Sequence, residues 1–505
     1  MNRLSLGAAA AVLMLAAGAA PASAAGKCVR VIGYEWRGEA QSADPADMVT
    51  IDDAMRVDSI YEGLAYLDND YQPQPVLAES WESNADGSEW TFHLRKGVKF
   101  HDGKDFTAKD VIYTFNRLLD EKTNSGARAI LTPFLEGGTI EAKDDHTVVF
   151  KLKKPAVELP TQITTKFSRI VPEGATHESL QKRPIGTGPF MMDAFTPNQP
   201  KNGVMKNPHY WQAGLPKADC LELTAISEPV SQAAALISGD ADLVIVVNPT
   251  ALQTLKASPG IRLSQSPGGT VMTLSMWVDT PPFDDVKVRQ AMKLVVDREK
   301  VVQTALLGAG VPGNDNPIAP TSLDAYRKDL IKRDVAKAKQ LLAEAGHPNG
   351  IDIELYTAEA FPGMLQIAEA YKEMAADAGI RVNVIKTPTE GYWDNIWLKH
   401  PFLTSSWGGR PPAEGLAIAY HSKAQWPETH WFRKDFDDLL AKASGTVDPA
   451  ERRKIYQEAQ KLLAEEGGVI VPGFQSTVAA MRGNCAGYEA NNNVNNQDYL
   501  NVTCQ

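Results

Sequence analysis

Ile351-Asp352-Ile353-Glu354-Leu355 alternates apolar and polar side chains, and the alternation returns at Ile380, Val382 and Val384. A period of two turns one apolar face to a core and the other to solvent, the pattern of a half-exposed strand. Between the two stretches, Ile367, Tyr371, Met374 and Ala378 fall on one helical face, and Gly379 ends that helix. Strand, helix and strand in this order make a β-α-β unit, the building block of a sheet covered by helices. The fold class this predicts is mixed α/β.

The surrounding chain repeats the signals. One helix opens at Asp334, buries Val335, Ala338, Leu341 and Leu342, and stops at Gly346. Another opens at Asp448-Pro449, a capping Asp followed by Pro at the first helical position, with Ile455, Ala459, Leu462 and Leu463 as its apolar stripe. Trp90, Phe92 and Leu94 alternate as a strand, turned by Lys96-Gly97. Leu243 to Val247 is an apolar run of strand length and reads as a buried strand. The Asn-rich stretch Asn491 to Asn496 reads as loop.

The N-terminus predicts export. Arg3 precedes an apolar run from Leu4 to Ala20, and Ala22-Ser23-Ala24 is a small-x-small cleavage pattern. Residues 1–24 therefore read as a signal peptide, with the mature chain starting near Ala25. Lys27 before Cys28 argues against lipid attachment there, since lipoprotein processing needs a small residue. No later stretch reaches the roughly 18 to 20 apolar residues of a membrane span. A chain of 505 residues is too long for one core and predicts two or three lobes. The net charge of −11 lacks the basic field that a phosphate backbone needs, so nucleic acid is excluded as a partner.

Four cysteines in an exported chain predict two disulfides. Nearness favours Cys485 with Cys504, which leaves Cys28 with Cys220; the sequence alone permits three connectivities. No Cys-x-x-Cys or paired His spacing supports a metal site instead.

Four blocks carry a family resemblance. They are Tyr61-Glu62-Gly63-Leu64; Ala78-Glu79-Ser80-Trp81 with Trp90 to Gly103; Gly186-Thr187-Gly188-Pro189-Phe190 with Asn207-Pro208-His209-Tyr210-Trp211; and Pro282 to Ala291. Their order and spacing resemble the family 5 extracellular solute-binding proteins of ABC importers, the dipeptide, oligopeptide and nickel type. The blocks themselves read as scaffold: Gly-Thr-Gly-Pro, for instance, supplies the free and the fixed φ of a tight turn.

The resemblance implies a two-lobed clamshell of the large type, with an extra subdomain in the first lobe. Residues 25–269 and 471–505 would form that lobe and 270–470 the second. The chain would cross between them near Gly268-Gly269-Thr270 and Val471-Pro472-Gly473. It also implies a monomeric periplasmic protein without cofactor, which captures a small peptide, peptide-like or opine-like solute. Its partner would be a membrane permease with separate ATPase subunits. A chemoreceptor adaptor and a secreted hydrolase on the same scaffold are the competing readings.

Enzyme motifs are missing. Gly308-Ala309-Gly310-Val311-Pro312-Gly313 fits G-x-G-x-x-G, yet it follows a helical stretch, contains a Pro and opens no helix. The nine histidines are scattered, and no carboxylate spacing singles out an acid/base pair.

The aromatic residues mark the cleft. Tyr34-Glu35-Trp36 follows the predicted first strand, Val29 to Gly33, whose end faces the cleft in this family. Trp407-Gly408-Gly409-Arg410 matches the family segment where a Trp-Gly turn meets ligand, and Phe361 lies on the loop after the Ile351 strand. Rigid aromatics bury area at little rotamer cost, and glycine lets a ligand approach the backbone. Tyr392, Trp393 and Trp397 read as core. In peptide-binding relatives an Asp after the Trp-Gly segment receives the peptide's amino group, whereas Arg410 stands here. A guanidinium suits an anionic group, paired with the ligand or, in the plainer reading, with Glu414. Glu35 would then take a positive end.

Overall fold

The computed structural model describes residues 28–33, 41–48, 50–199, 201–389, 391–424, 426–493 and 497–505. The signal peptide read at 1–24 lies outside the described residues.

The β-α-β unit is present. Strands Ile351–Thr357 and Ile380–Lys386 pair in parallel, from Ile351↔Ile380 to Thr357↔Lys386. Helix Met364–Ala376 connects them, with Ile367, Tyr371 and Met374 buried. Gly379 is not the helix end but part of the turn beyond it, at φ +82°. Both capping residues act as read. Asp334 accepts from Lys337 N at 2.8 Å, and Asp448 accepts from Glu451 N at 2.8 Å.

Among the described residues, eleven strands form one mixed sheet. Two long antiparallel strands, Ile261–Met276 and Val469–Arg482, lie near its middle. Their ladder breaks register between Ser266 and Thr270 and again between Met272 and Leu274. On one side the sheet continues through Phe402–Gly408, Ile351–Thr357 and Ile380–Lys386. On the other it continues through Leu243–Val244, Val29–Gly33, Cys220–Ala225, Lys201–Lys206 and Phe190–Met191. Each half carries its own cores. Leu274, Val288, Leu341, Tyr371 and Phe402 fill one face of the second lobe, while Val271, Tyr420, Trp431, Leu463 and Phe474 fill the other. Val31, Val57, Leu221, Leu223 and Tyr499 fill the first lobe. A separate four-stranded antiparallel sheet packs Phe92, Phe115 and Phe150 into the core of the extra subdomain. No helix among the described residues is long and apolar enough to cross a membrane.

Both disulfides follow the pairing that nearness favoured. Cys28–Cys220 joins the starts of two parallel strands that run Val29↔Leu221 to Gly33↔Ala225. Cys485–Cys504 spans a two-stranded antiparallel pair.

Two of the recognisable blocks meet at one buried carboxylate, and a third packs beside them. Glu62 accepts from Tyr210 Oη at 2.7 Å, Thr187 Oγ1 at 2.8 Å and Trp211 Nε1 at 3.1 Å. His101 Nε2 lies 3.0 Å from Gly188 O. Gly186 and Gly188 are there for close approach, not for a left-handed turn. Neither has positive φ, and a Cβ on Gly186 would lie 2.1 Å from Ile60 O.

Candidate functional site where the lobes meet

Strand directions place the site. Phe402–Gly408 is antiparallel to Ile261–Met276, which is antiparallel to Val469–Arg482. That strand is antiparallel to Leu243–Val244, which runs parallel to Val29–Gly33. Three reversals leave Phe402–Gly408 and Val29–Gly33 opposed, so their C-terminal ends point at each other across the crossing strands. In register, Gly408 lies level with Thr270 and Gln475, and the end of Val29–Gly33 comes level with Ala480 and its neighbours. The carboxyl ends of strands are where open α/β sheets take up ligands, because the chain leaves the sheet there and exposes backbone groups. Tyr34, Glu35 and Trp36, which follow Gly33, lie outside the described residues.

On the second-lobe side the exit is tight. Gly409 N donates to Gly269 O at 2.6 Å. A Cβ on Gly409 would fall 1.8 Å from Tyr71 Oη, so only glycine lets Tyr71 approach this closely. Tyr71 itself takes a left-handed backbone at φ +59°. A cavity of about 200 Å³ opens beside this contact, with Asn69, Tyr71 and Asn492 on one wall and Ile318, Gly409 and Arg410 on the other. Tyr71 Oη, Ser266 Oγ, Gln475 Oε1 and Asn492 Oδ1 are buried near the crossing with no hydrogen-bond partner among the described residues. Buried polar groups are ordinarily paired, so four unpaired ones set this crossing apart. The lobes touch again where Tyr456 Oη donates to Glu158 Oε2 at 2.6 Å.

Arg410 pairs with Glu414. Its Nε donates to Glu414 Oε1 at 2.7 Å and its Nη1 to Gly408 O at 2.7 Å. Its guanidinium also lies 5.6 Å from the centre of the Trp407 ring. Phe361 is half-buried against the core of the second lobe.

The structure adds residues that sequence reasoning placed elsewhere. Tyr392 is core, but Trp393 is 39 % exposed and Trp397 only half-buried. With Trp407 and Trp426 they form a chain of rings. Centroids lie 5.6 Å apart for Trp393–Trp397, 5.9 Å for Trp397–Trp407 and 5.8 Å for Trp407–Trp426. The Glu428 side chain sits beneath them, 1 % exposed. It accepts from Trp397 Nε1 at 2.6 Å and Ser275 Oγ at 3.0 Å. Burial raises its pKa, and the hydrogen-bonding groups around it oppose that rise. Nothing in the local pattern of Trp426-Pro427-Glu428 sets this carboxylate apart, because its partners come from three other segments, at Ser275, Trp397 and Ser405 to Trp407.

Gly310–Pro312 of the glycine motif is a short strand paired to Val469–Arg482, so its backbone groups serve the sheet and not a phosphate. Among the described residues, the one cluster with metal-ligand proximity is Asp242 with Cys485 and Cys504, and both thiols there are locked in a disulfide.

Known proteins agree with this architecture. Residues 72–426 match the family model described as bacterial extracellular solute-binding proteins, family 5 middle. The chain is 30 % identical to heme-binding protein A of Haemophilus influenzae over 77 % of each chain. It is 28 % identical to the glutathione-binding protein GsiB of Escherichia coli strain K12, over 85 % of this chain and 86 % of that one. The solved structure of the binding protein AgaA of A. tumefaciens R10, in complex with agropinic acid, superposes with a TM-score of 0.72 at 26 % identity, covering 95 % and 98 % of the two chains. This chain belongs to family 5 of the bacterial extracellular solute-binding proteins.

Proposed function

We propose that this chain is the periplasmic solute-capturing subunit of an ABC importer and performs no catalysis. Residues 25–269 with 471–505 act as one lobe, 270–470 as the other, and they move about the crossings at Gly268-Gly269-Thr270 and Val471-Pro472-Gly473. The solute is a small peptide or a peptide-like or opine-like conjugate. It is handed, by a monomeric binding protein, to a permease served by separate ATPase subunits. The observation that carries this is the opposition of two strand ends from different lobes across a shared pair of strands. A solute seated there touches both lobes, and only contacts made in the closed arrangement can favour it. Relatives with peptide-like or conjugate ligands in their names, glutathione and agropinic acid, support the solute class.

Within the cleft, Tyr34, Glu35 and Trp36 serve from the first lobe and Phe361 and Trp407 to Arg410 from the second. Arg410 offers its guanidinium to an anionic group of the solute, exchanging part of its contact with the more exposed Glu414. Because that exchange returns only part of the interaction, Arg410→Ala is expected to weaken binding about tenfold, near 1.4 kcal/mol. An unchanged Kd in titration calorimetry removes Arg410 from the site.

A thermal-shift screen of peptides, opine-like conjugates and other polar metabolites tests the function itself. A solute at about a hundred times its Kd should stabilise the protein by about 2.7 kcal/mol. Conversion of the best solute into a product supports a hydrolase instead.

A further inference from the structure

The tryptophan chain around Glu428 has a composition that the fold does not require. The Glu428 carboxylate is buried, yet no Lys, Arg or His among the described residues forms an ion pair with it. The basic groups nearby in sequence are engaged elsewhere: Arg433 with Asp435 and Glu466, His430 with Asp279, and Arg410 with Glu414. Burying a carboxylate without a cation costs stability, and an uncharged residue of the same shape would be cheaper. The four indole rings in front of it add the negative faces of their π systems. One such face already draws a cation, since the Arg410 guanidinium lies over Trp407. The group is also not sealed. Trp393 is 39 % exposed, and Trp426 and Trp407 are half-buried. Trp407 belongs both to this chain of rings and to the strand end that faces the lobe junction.

We propose that Trp397, Trp407 and Trp426, backed by Glu428, bind a cationic group of the captured solute, an alkylammonium or guanidinium carried on an apolar stem. The assignment rests on the capture reading above and narrows it. The stem packs on the rings, and the charge settles against indole faces near a carboxylate that hydrogen bonds hold but no cation neutralises. An anionic end of the same solute is left for Arg410, so the cleft reads a zwitterion by its two ends. Glu428 then selects charge where the tryptophans alone would select only flatness.

The test uses the mature protein and four dipeptides: Lys-Ala, Arg-Ala, and norleucyl-Ala and citrullyl-Ala, which lack the side-chain cation, each also in N-acetylated form, which lacks the terminal ammonium. Affinities come from titration calorimetry and from tryptophan fluorescence, which reports the rings directly. The tightest member is expected to carry a cation whose removal costs about thirtyfold, the loss typical of leaving a buried charge unpaired. Glu428→Gln keeps the volume and an acceptor for Trp397, so its melting temperature should hold while that thirtyfold preference disappears. Trp426→Phe keeps a ring of lower cation affinity and should weaken the cationic members selectively. A preference below about threefold, or one that survives in Glu428→Gln, overturns the cation site. So does silence of the whole panel while an anionic or uncharged solute shifts the melting temperature; in that case capture stands and the cation site alone falls. Silence toward every solute overturns both.

Discussion

Replacing Cys28 and Cys220 together by serine is expected to remove about 5 kcal/mol of stability, the chain-entropy value for closing so long a loop. The bond spans 192 residues, and its release multiplies the conformations open to the unfolded chain. The folded side loses as well. Val29–Gly33 has one parallel neighbour on each side, and its N-terminal end is tied down by this bond. Opening the 19-residue separation between Cys485 and Cys504 should cost less, about 3 kcal/mol. Urea unfolding of both double mutants gives the comparison. Equal losses contradict the entropic ordering, and free thiols in exported protein contradict the pairing itself.

Glu62→Ala is the second large loss, expected at about 3 to 5 kcal/mol. The substitution strands the buried donors of Tyr210, Thr187 and Trp211 together, and each unsatisfied donor costs about 1 to 3 kcal/mol before relaxation. The same carboxyl makes stability depend on pH. Burial pushes its pKa from the ordinary 4.5 to about 7, against the pull of its three donors. The folded protein therefore holds this proton more tightly than the unfolded chain does. The group's contribution is full below about pH 4.5 and is lost as the pH rises through about 7. Stability measured across that window should fall relative to Glu62→Gln, in which the titration is gone. A difference curve that is flat or rises with pH contradicts the assignment to Glu62.

What could be read from the chain follows the range of each signal. The β-α-β unit around Ile351 and the helix starts at Asp334 and Asp448 are local patterns, and they appear where the pattern places them. The four blocks identified the family, since their order along the chain is itself sequence information. Long-range approach was hidden. Nothing near Gly409 announces that Tyr71, more than three hundred residues earlier, fills the space of its missing side chain. Gly186 read as a flexible turn residue, but it is a close-contact residue under Ile60. Helical spacing placed Trp393 and Trp397 in the core. The short helix Tyr392–Asn395 instead buries Tyr392 and turns Trp393 outward. Glu428 was one carboxylate among sixty-two acidic residues until folding buried it against Trp397 and Ser275.

The central claim is that a solute binds at the junction and holds the two lobes together. Small-angle scattering tests it most directly, comparing the purified protein alone with the protein saturated by the solute that gives the largest thermal shift. With solute bound, the radius of gyration is expected to be smaller, reached at the concentration set by its Kd, with the solute recovered chemically unchanged. A radius that stays the same at saturation, or a solute returned as product, would contradict it.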